Sequence, residues 1–282
     1  MSDPVFAYGH DGYRDGVFPA IVDIVSGWDS GIAGLRSPLT QYSSGDVVTL
    51  DGTEGRHAVT VTRIAVGDSL VLVDGRGYWA ACTVRETPSK SQLVARVEEC
   101  GHTALPTPPV TVVQALPKSD RSELAVDLAC QAGADAIVPW SASRSIARWK
   151  GKEKKAAMKW VDAAIASSKQ SRRARFPRIG HVSSTEDVVT AISHVTKSGG
   201  LVIVLEESES VSLTALSDEV GQASQMMVIV GPEGGIAPDE HDAFVMAGAR
   251  SVVLGPEVLR TATAASVALG ALGVLTRRWS RG

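Results

Sequence analysis

From residue 110 onward, short β-branched runs alternate with segments of helical pattern, and this alternation constrains the fold more than any other feature of the sequence. It favours a mostly parallel sheet, because parallel neighbours need a long crossover between them and a helix usually supplies it. Strands are predicted at residues 110–115, 136–139, 201–205, 226–230 and 251–254. Helices are predicted at residues 120–131, 152–171, 185–195, 238–247 and 261–278. Asp120 with Glu123 has the spacing of a capping box, and Pro238 suits a first helical turn.

Residues 45–100 have a different pattern, in which short strand-like runs are separated by turn residues. The predicted strands are residues 47–50, 58–63, 69–73, 79–85 and 93–97, and His57 stands at the start of the second. Several short strands at this spacing are typical of a small β-barrel. Residues 101–109 contain three prolines and have the composition of a linker. We therefore predict an N-terminal barrel domain over residues 1–104 and a C-terminal α/β domain over residues 110–282.

Residues 8–44 form an unusual insertion in this N-terminal domain, rich in glycine, aspartate and serine. The insertion also contains apolar side chains, including Phe18, Ile21, Val22 and Trp28. The sequence leaves two alternatives open for it, an inserted loop and an extra edge element.

Two glycine-proline segments follow consecutive predicted strands. The first reads GPEGGIAPDE over residues 231–240, and the second reads LGPEVLRTATAA over residues 254–265. In open α/β sheets ligands bind outside the carboxyl ends of the strands, where glycine lets the backbone approach a ligand closely. A single segment of this kind is equally consistent with a ligand site and with an ordinary strand-to-helix turn. Two of them in succession favour a ligand site.

The stretch from Arg144 to Arg178 holds twelve basic residues against Glu153 and Asp162, in a chain of net charge −3. A local basic field on a mildly acidic protein suits binding to a phosphate backbone. The alternative is a solvated helix face. The cluster Arg172, Arg173 and Arg175 favours the first interpretation, because neighbouring like charges repel unless an anion lies among them.

Other chemistries find little support in the sequence. The phosphate-loop, dinucleotide-binding, zinc-helix and serine-hydrolase motifs are missing. Cys82, Cys100 and Cys130 lie far apart without zinc or redox spacing, so we expect reduced thiols and no metal. The sequence contains no apolar run long enough for a membrane span and begins without the pattern of a signal peptide, which predicts a cytoplasmic protein.

The two glycine-proline segments closely resemble those of the RsmE family of 16S rRNA uridine-N3 methyltransferases, which belong to the SPOUT superfamily. The resemblance extends over roughly residues 45–282 and includes KSDRSE at 118–123 and QSRRARFP at 170–177. Several positions depart from the family pattern. Ala262 stands where the family usually has glutamate, and further differences occur at Leu128, Gln131 and Lys169. Residues 8–44 have no family counterpart.

The resemblance implies a SPOUT-type α/β trefoil-knot domain with an N-terminal PUA-like β-barrel. It implies a homodimer, with its active site near the subunit interface, that uses S-adenosylmethionine to methylate N3 of uridine 1498 in 16S rRNA of the small ribosomal subunit. Another SPOUT methyltransferase of rRNA or tRNA and a non-catalytic RNA-binding protein are the alternatives.

The resemblance also implies site residues. The expected cofactor-binding residues are Leu205, Gly231, Pro232, Glu233, Gly234, Gly235, Leu254, Gly255, Leu259, Arg260, Thr261, Thr263 and Ala264. The expected RNA-binding residues are Arg144, Arg172, Arg173 and Arg175. Arg260 is the candidate catalytic residue, donating to a uracil oxygen or anchoring a phosphate, and its alternative is a structural arginine. We expect Thr261 and Thr263 to cap the last helix and contact the cofactor, and Glu240 to be structural.

Overall fold

The structure is a computed structural model that describes residues 3–9, 18–28, 37–118 and 121–280. The chain forms two compact units. The described part of the first unit is residues 3–9, 37–105 and 165–176, and that of the second is residues 18–28, 106–118, 121–164 and 177–280. The two units do not coincide with the contiguous domains predicted over residues 1–104 and 110–282. Residues 18–28 belong to the second unit, and residues 165–176 belong to the first.

The first unit contains a sheet of five strands among its described residues, in the order β1-β3-β4-β5-β2. The strands are β1 (Val5–Ala7), β2 (Val47–Leu50), β3 (Ser69–Val73), β4 (Tyr78–Ser89) and β5 (Gln92–His102). β1 pairs in parallel with β3, and the other pairings are antiparallel. Alternate side chains such as Leu70, Leu72 and Leu93 enter the core of this unit, because successive residues of a strand face opposite sides.

The predicted strand at residues 58–63 is wrong. Helix α2 (Gly52–Arg56) runs directly into a π-helical segment (His57–Thr62), which ends at Arg63 in the left-handed conformation. The alternating sequence suits a strand, but contacts from distant parts of the chain override it. Glu54 of α2 is buried, where its carboxylate accepts a hydrogen bond from the Ala7 amide at 3.1 Å. His57 therefore lies in the π-helical segment instead of opening a barrel strand.

The second unit is built on a sheet of six strands among its described residues, in the order β11-β9-β10-β6-β7-β8. The strands are β6 (Val110–Ala115), β7 (Ala136–Trp140), β8 (Arg178–Ile179), β9 (Leu201–Leu205), β10 (Met226–Val230) and β11 (Arg250–Val252). All of these pairings are parallel, which confirms the predicted parallel sheet. β8 was not predicted, because a strand of two residues is too short to show an alternation of apolar and polar side chains.

The five predicted helices are present with slightly different bounds. They are α3 (Ser122–Gln131), α4 (Glu153–Gln170), α5 (Thr185–Lys197), α7 (Pro238–Met246) and α8 (Thr261–Leu275), and α6 (Ser217–Gln222) adds an unpredicted short one. Asp120 of the predicted capping box lies outside the described residues, and Arg121 precedes α3 without a side-chain cap. α8 ends before the predicted residue 278, because Thr276 is extended and a separate 3-10 turn follows it.

Part of the insertion forms helix α1 (Ile21–Ser26), and residues 10–17 and 29–36 of it lie outside the described residues. Ile21 and Ile24 are buried in the core of the second unit together with Ile192 of α5. The backbone amide of His181 donates to the Pro19 carbonyl at 2.9 Å, which fixes the start of α1. This stretch therefore extends the apolar core of the α/β unit.

Candidate functional site

A cavity of about 320 Å³ lies at the carboxyl ends of β9, β10 and β11 in the second unit. Both glycine-proline segments reach it because of the strand order. β9 is the middle strand of the three, and Leu205 at its end is in register with Val230 of β10 and with Val252 of β11. Segments that are separated in sequence by α7 therefore leave the sheet side by side. This edge of a parallel sheet is where ligands of α/β proteins bind.

The cavity gathers most of the expected cofactor-binding residues. Those that line it are Leu205, Gly231, Pro232, Glu233, Gly235, Leu254, Gly255, Leu259, Arg260, Thr261 and Ala264. Among the described residues, Gly234 and Thr263 were also expected there but do not line it. Sequence reasoning missed Arg121, Glu206, Glu207, Val230, Ile236, Val252, Val253, Glu257 and Val258. Glu206 and Glu207 directly follow β9, so the end of that strand was the signal that could have found them.

The first glycine-proline segment owes its shape to its glycines. A Cβ on Gly231 would lie 2.8 Å from the side chain of Ile236, and Gly235 has a φ of +71°. The Gly235 amide donates to the Pro232 carbonyl at 2.9 Å and closes a tight turn. A side chain at Gly235 would be strained in this left-handed conformation. Gly234 faces Arg144 instead of the cavity, since its Cβ would lie 3.4 Å from Cβ of Arg144.

The second glycine-proline segment ends at Arg260, which immediately precedes α8. The Arg260 carbonyl accepts hydrogen bonds from the Thr263 amide at 2.8 Å and from the Thr263 hydroxyl at 3.0 Å. The expectation that threonine hydroxyls cap this helix is wrong, because Arg260 is the N-cap residue and forms no side-chain cap. Gly255 has room around it, with Oε2 of Glu257 3.5 Å from a Cβ placed there.

The cavity carries both signs of charge. Arg121 and Arg260 supply positive charge, and four glutamates including Glu206 and Glu233 supply negative charge. Glu233 accepts a hydrogen bond from the backbone amide of Lys118 at 3.2 Å. Within the part of the chain that the structure describes, the exposed guanidinium of Arg260 has no hydrogen-bond or ion-pair partner. Its donors are therefore available to a ligand.

The four expected RNA-binding arginines are divided between the two units. Arg144 belongs to the second unit and uses Nη1 to donate to the carbonyls of Gly234 at 3.2 Å and Ile236 at 3.3 Å. The other three belong to the first unit.

Two of these three differ sharply in what their side chains do. Arg175 donates from Nε to the Thr103 carbonyl at 2.7 Å and lies 2.9 Å from His102 through Nη2. Arg172 is exposed and has a φ of +59°. Arg175 thus braces its own unit, whereas Arg172 faces solvent.

Two further observations concern the described residues as a set. They contain no helix with the length and apolar character needed to cross a membrane. Nor do they contain three or more histidine, cysteine, aspartate or glutamate side chains grouped to hold a metal ion.

Comparisons with known proteins agree with this architecture. A family described as an RNA methyltransferase domain matches residues 103–273, and one described as an RNA methyltransferase PUA domain matches residues 50–98. A curated ribosomal RNA small subunit methyltransferase E from Mycobacterium bovis is 48% identical over 241 residues, which cover 85% of this chain and 91% of that protein. The chain belongs to the ribosomal RNA small subunit methyltransferase E family. The homologue from Bacillus subtilis is 28% identical over 84% of this chain and 93% of its own.

Solved structures show the same fold. That of a ribosomal RNA small subunit methyltransferase E from Neisseria gonorrhoeae, bound to S-adenosyl methionine, has a TM-score of 0.76 and 21% identity, with 98% of both chains covered. A probable rRNA-methyltransferase from Porphyromonas gingivalis has a TM-score of 0.65 and 26% identity, with 78% of this chain and 89% of that chain covered. The predicted family, methyltransferase class and fold class are therefore confirmed. The trefoil knot and the homodimer stay predictions.

Proposed function

We propose that this chain transfers a methyl group from S-adenosylmethionine to N3 of uridine 1498 in the 16S rRNA of the small ribosomal subunit. The observation that carries the proposal is the meeting of both glycine-proline segments at one cavity, in a chain that belongs to this methyltransferase family. An rRNA substrate accords with a cytoplasmic location, which is part of the same proposal.

The cavity has the features that this cofactor needs. S-adenosylmethionine supplies the methyl carbon, which its sulfonium activates for displacement. The glutamates that line the cavity complement a cationic ligand, and Arg121 complements a carboxylate. Gly231 and Gly235 keep the first segment close to the cavity wall without side chains in the way. Pro232, Leu254, Leu259 and Ala264 add apolar surface for the adenine and methionine portions.

Arg260 is proposed as the catalytic residue. It lines the cavity at the N-terminus of α8, and its guanidinium is uncommitted within the described residues. When N3 of uracil loses its proton to solvent, negative charge spreads onto the two adjacent carbonyl oxygens. The N3 lone pair then bonds to the methyl carbon as the S–CH3 bond breaks, and S-adenosylhomocysteine leaves. A guanidinium directed at one of those oxygens stabilises the charge where it develops, and such a donor typically contributes a factor of about 10²–10³ in rate. Holding base and cofactor in line lowers the barrier further.

RNA is proposed to bind the first unit through Arg172 and Arg173. Arg172 is exposed on the turn that follows α4, and Arg173 lies next to it. A guanidinium offers phosphate a planar fork of donors, which suits it to an RNA backbone. Arg175 contributes less to this interface, because its donors already contact Thr103 and His102.

The proposed homodimer forms through α8. Residues 261–275 contain no charged side chain, yet Val267 is 45% exposed and Val274 is 75% exposed. The two valines are seven residues apart and therefore lie on the same side of the helix. An apolar face of this kind is normally covered, and a second copy of the chain covers it symmetrically. α8 begins directly after Arg260, and Val267 lies about 10 Å and Val274 about 20 Å further along its axis, so the helix connects this interface to the cavity.

The function is tested by mapping methylation on rRNA. Ribosomes from a strain that lacks the gene should lose the N3-methyluridine block to reverse transcription at position 1498, and the chain should restore it. Purified protein should methylate the 30S subunits of that strain with labelled S-adenosylmethionine. Restoration at another nucleotide would contradict the stated target, and absence of label from all RNA would contradict the activity. For the dimer, Val274→Glu should shift the mass measured by light scattering to that of one chain.

A further inference from the structure

The segment at residues 141–148, which follows β7, lies against the first glycine-proline segment. It contacts that segment through the side chain of Arg144 and contacts helix α7 through Ser143. Arg148 stiffens it from within, since Nη2 donates to the Ser143 carbonyl at 2.9 Å. The cavity-lining residues do not include any of these three within the described chain. Any effect on a ligand must therefore be indirect.

Arg144 joins two carbonyls of the first glycine-proline segment. The same nitrogen donates to Gly234 and to Ile236, on either side of the left-handed Gly235. Hydrogen bonds from a charged donor are roughly twice as strong as neutral ones. The two hydrogen bonds of Arg144 fix the backbone where the first glycine-proline segment turns. Two residues of this turn, Gly235 and Ile236, line the cavity.

Glu240 holds the other end of the same segment. It is 4% exposed and lies in the first turn of α7. Its Oε1 accepts hydrogen bonds from the Ser143 amide at 2.9 Å and the Thr185 hydroxyl at 2.8 Å. Its Oε2 accepts from the Ser143 hydroxyl at 2.9 Å and from the Ala237 amide at 3.4 Å. A buried carboxylate is tolerated when hydrogen bonds and a helix N-terminus compensate for lost hydration, and both are present here.

We propose that Arg144 and Glu240 are positioning residues for the cofactor, which hold residues 234–237 in the conformation that binds S-adenosylmethionine. The proposal rests on the proposed function for the identity of the ligand. It gives Arg144 a role different from the RNA contact expected from its place in the basic stretch. Nη1 of Arg144 donates to the carbonyls of Gly234 and Ile236, and these two hydrogen bonds explain its position without a phosphate.

The two residues act on affinity rather than on the chemical step. If only a fraction of molecules has the segment in its binding conformation, the apparent dissociation constant rises by the reciprocal of that fraction. The complex, once formed, has the same geometry. Removing either side chain should therefore raise the KM for S-adenosylmethionine and leave kcat nearly unchanged.

The test compares three substitutions with a control. Arg144→Gln removes the charge and shortens the side chain, whereas Arg144→Lys keeps a positive charge but loses the guanidinium. Glu240→Gln replaces one carboxylate oxygen, an acceptor, by an amide nitrogen, a donor. Lys152→Gln removes an exposed charge from the same basic stretch and is the control. Calorimetry with S-adenosylmethionine, kinetics on unmethylated 30S subunits and hydrogen exchange of residues 231–237 are measured for each.

The proposal predicts that all three substitutions raise the cofactor Kd and KM about fivefold or more, with kcat within about twofold and the KM for 30S subunits unchanged. The amides of residues 234–237 should exchange faster, including in Arg144→Lys. Unchanged exchange and unchanged cofactor affinity in Arg144→Gln and Arg144→Lys would overturn it. If the unsubstituted chain bound no S-adenosylmethionine, the proposed function would fail instead, and exchange would still decide whether these residues hold the segment.

Discussion

The ammonium of Lys169 lies 2.6 Å from Oε1 of Glu54, and both side chains are largely buried in the first unit. The other oxygen of Glu54 accepts the Ala7 amide, so this one carboxylate ties the end of α4 and strand β1 to helix α2. Glu54 thereby holds helix α2, which continues directly into the π-helical segment, against two other elements of the first unit.

Lys169→Met should destabilise the first unit by about 1–3 kcal/mol, because it leaves the Glu54 carboxylate without its cation in a site with little water. Urea unfolding followed by circular dichroism measures the change. Lys155→Met alters an exposed lysine of the same helix and should have almost no effect. Equal stability of the two variants would show that the ion pair contributes nothing.

Gly255→Ala should weaken S-adenosylmethionine binding about tenfold, because the added methyl group takes up space in the cavity that Gly255 lines. Gly221→Ala is the matched control, because Gly221 does not line the cavity and a Cβ placed there has no described atom within 4 Å, so its Kd should change by less than about twofold. Both Kd values come from isothermal titration calorimetry. The site would have to lie elsewhere if Gly255→Ala bound as tightly as the unsubstituted chain.

Arg260→Ala should lower kcat about 100-fold while the Kd for S-adenosylmethionine stays within about threefold, because its donor acts on charge that develops only in the reaction. Single-turnover transfer of labelled methyl to 30S subunits gives the rate. Arg277→Ala, an exposed arginine beyond α8, serves as the control. A large rise in the cofactor Kd with an unchanged rate would assign Arg260 to binding instead.

Replacing Arg172 and Arg173 by Gln should weaken RNA binding and make it less dependent on salt. The slope of log affinity against log salt should fall by roughly one for each phosphate that the variant no longer neutralises. Fluorescence anisotropy with an rRNA fragment at several salt concentrations measures the slope. Lys197→Gln removes an exposed charge at the end of α5 and should leave the slope unchanged. If the double variant kept the full slope, RNA would have to bind other parts of the chain.

Burial raises the pKa of the Cys82 thiol to about 12, with smaller contributions from Glu98 and Cys100. The thiolate is the reactive form, so Cys82 should stay unreactive in the folded chain up to about pH 10. Cys130 is buried as well, and Cys100 is exposed. Titration with a chromogenic disulfide at pH 8 should therefore modify one thiol in the folded protein and three in denaturant. Rapid modification of a second thiol in the folded state would contradict the burial of these side chains.

The sequence predicted the parallel sheet well, because strands such as β9 and β10 are continuous apolar runs, as expected for strands that are buried on both faces of a sheet. It also located most of the cavity wall, since glycine and proline mark where the chain turns at a strand end. It failed at residues 58–63, where the alternation typical of a strand occurs in a π-helical segment. It could not reveal that Arg144 reaches Gly234, because ninety residues separate them.

Ala262 illustrates a further limit. The sequence shows that it replaces a glutamate usual in the family, but not where its side chain lies. It is buried in the first turn of α8 and, among the described residues, is not part of the cavity wall. A glutamate placed there would have to be buried, and burial of an uncompensated charge is unfavourable.

The position of β9 between β10 and β11 also determines when the binding site comes into existence. During synthesis, β9 and β10 emerge before β11, and the second glycine-proline segment follows β11. The nascent chain therefore lacks half of the cavity until its last strand has joined the sheet beside β9. Ligand binding is consequently a property of the completed sheet, because neither glycine-proline segment forms the cavity without the other.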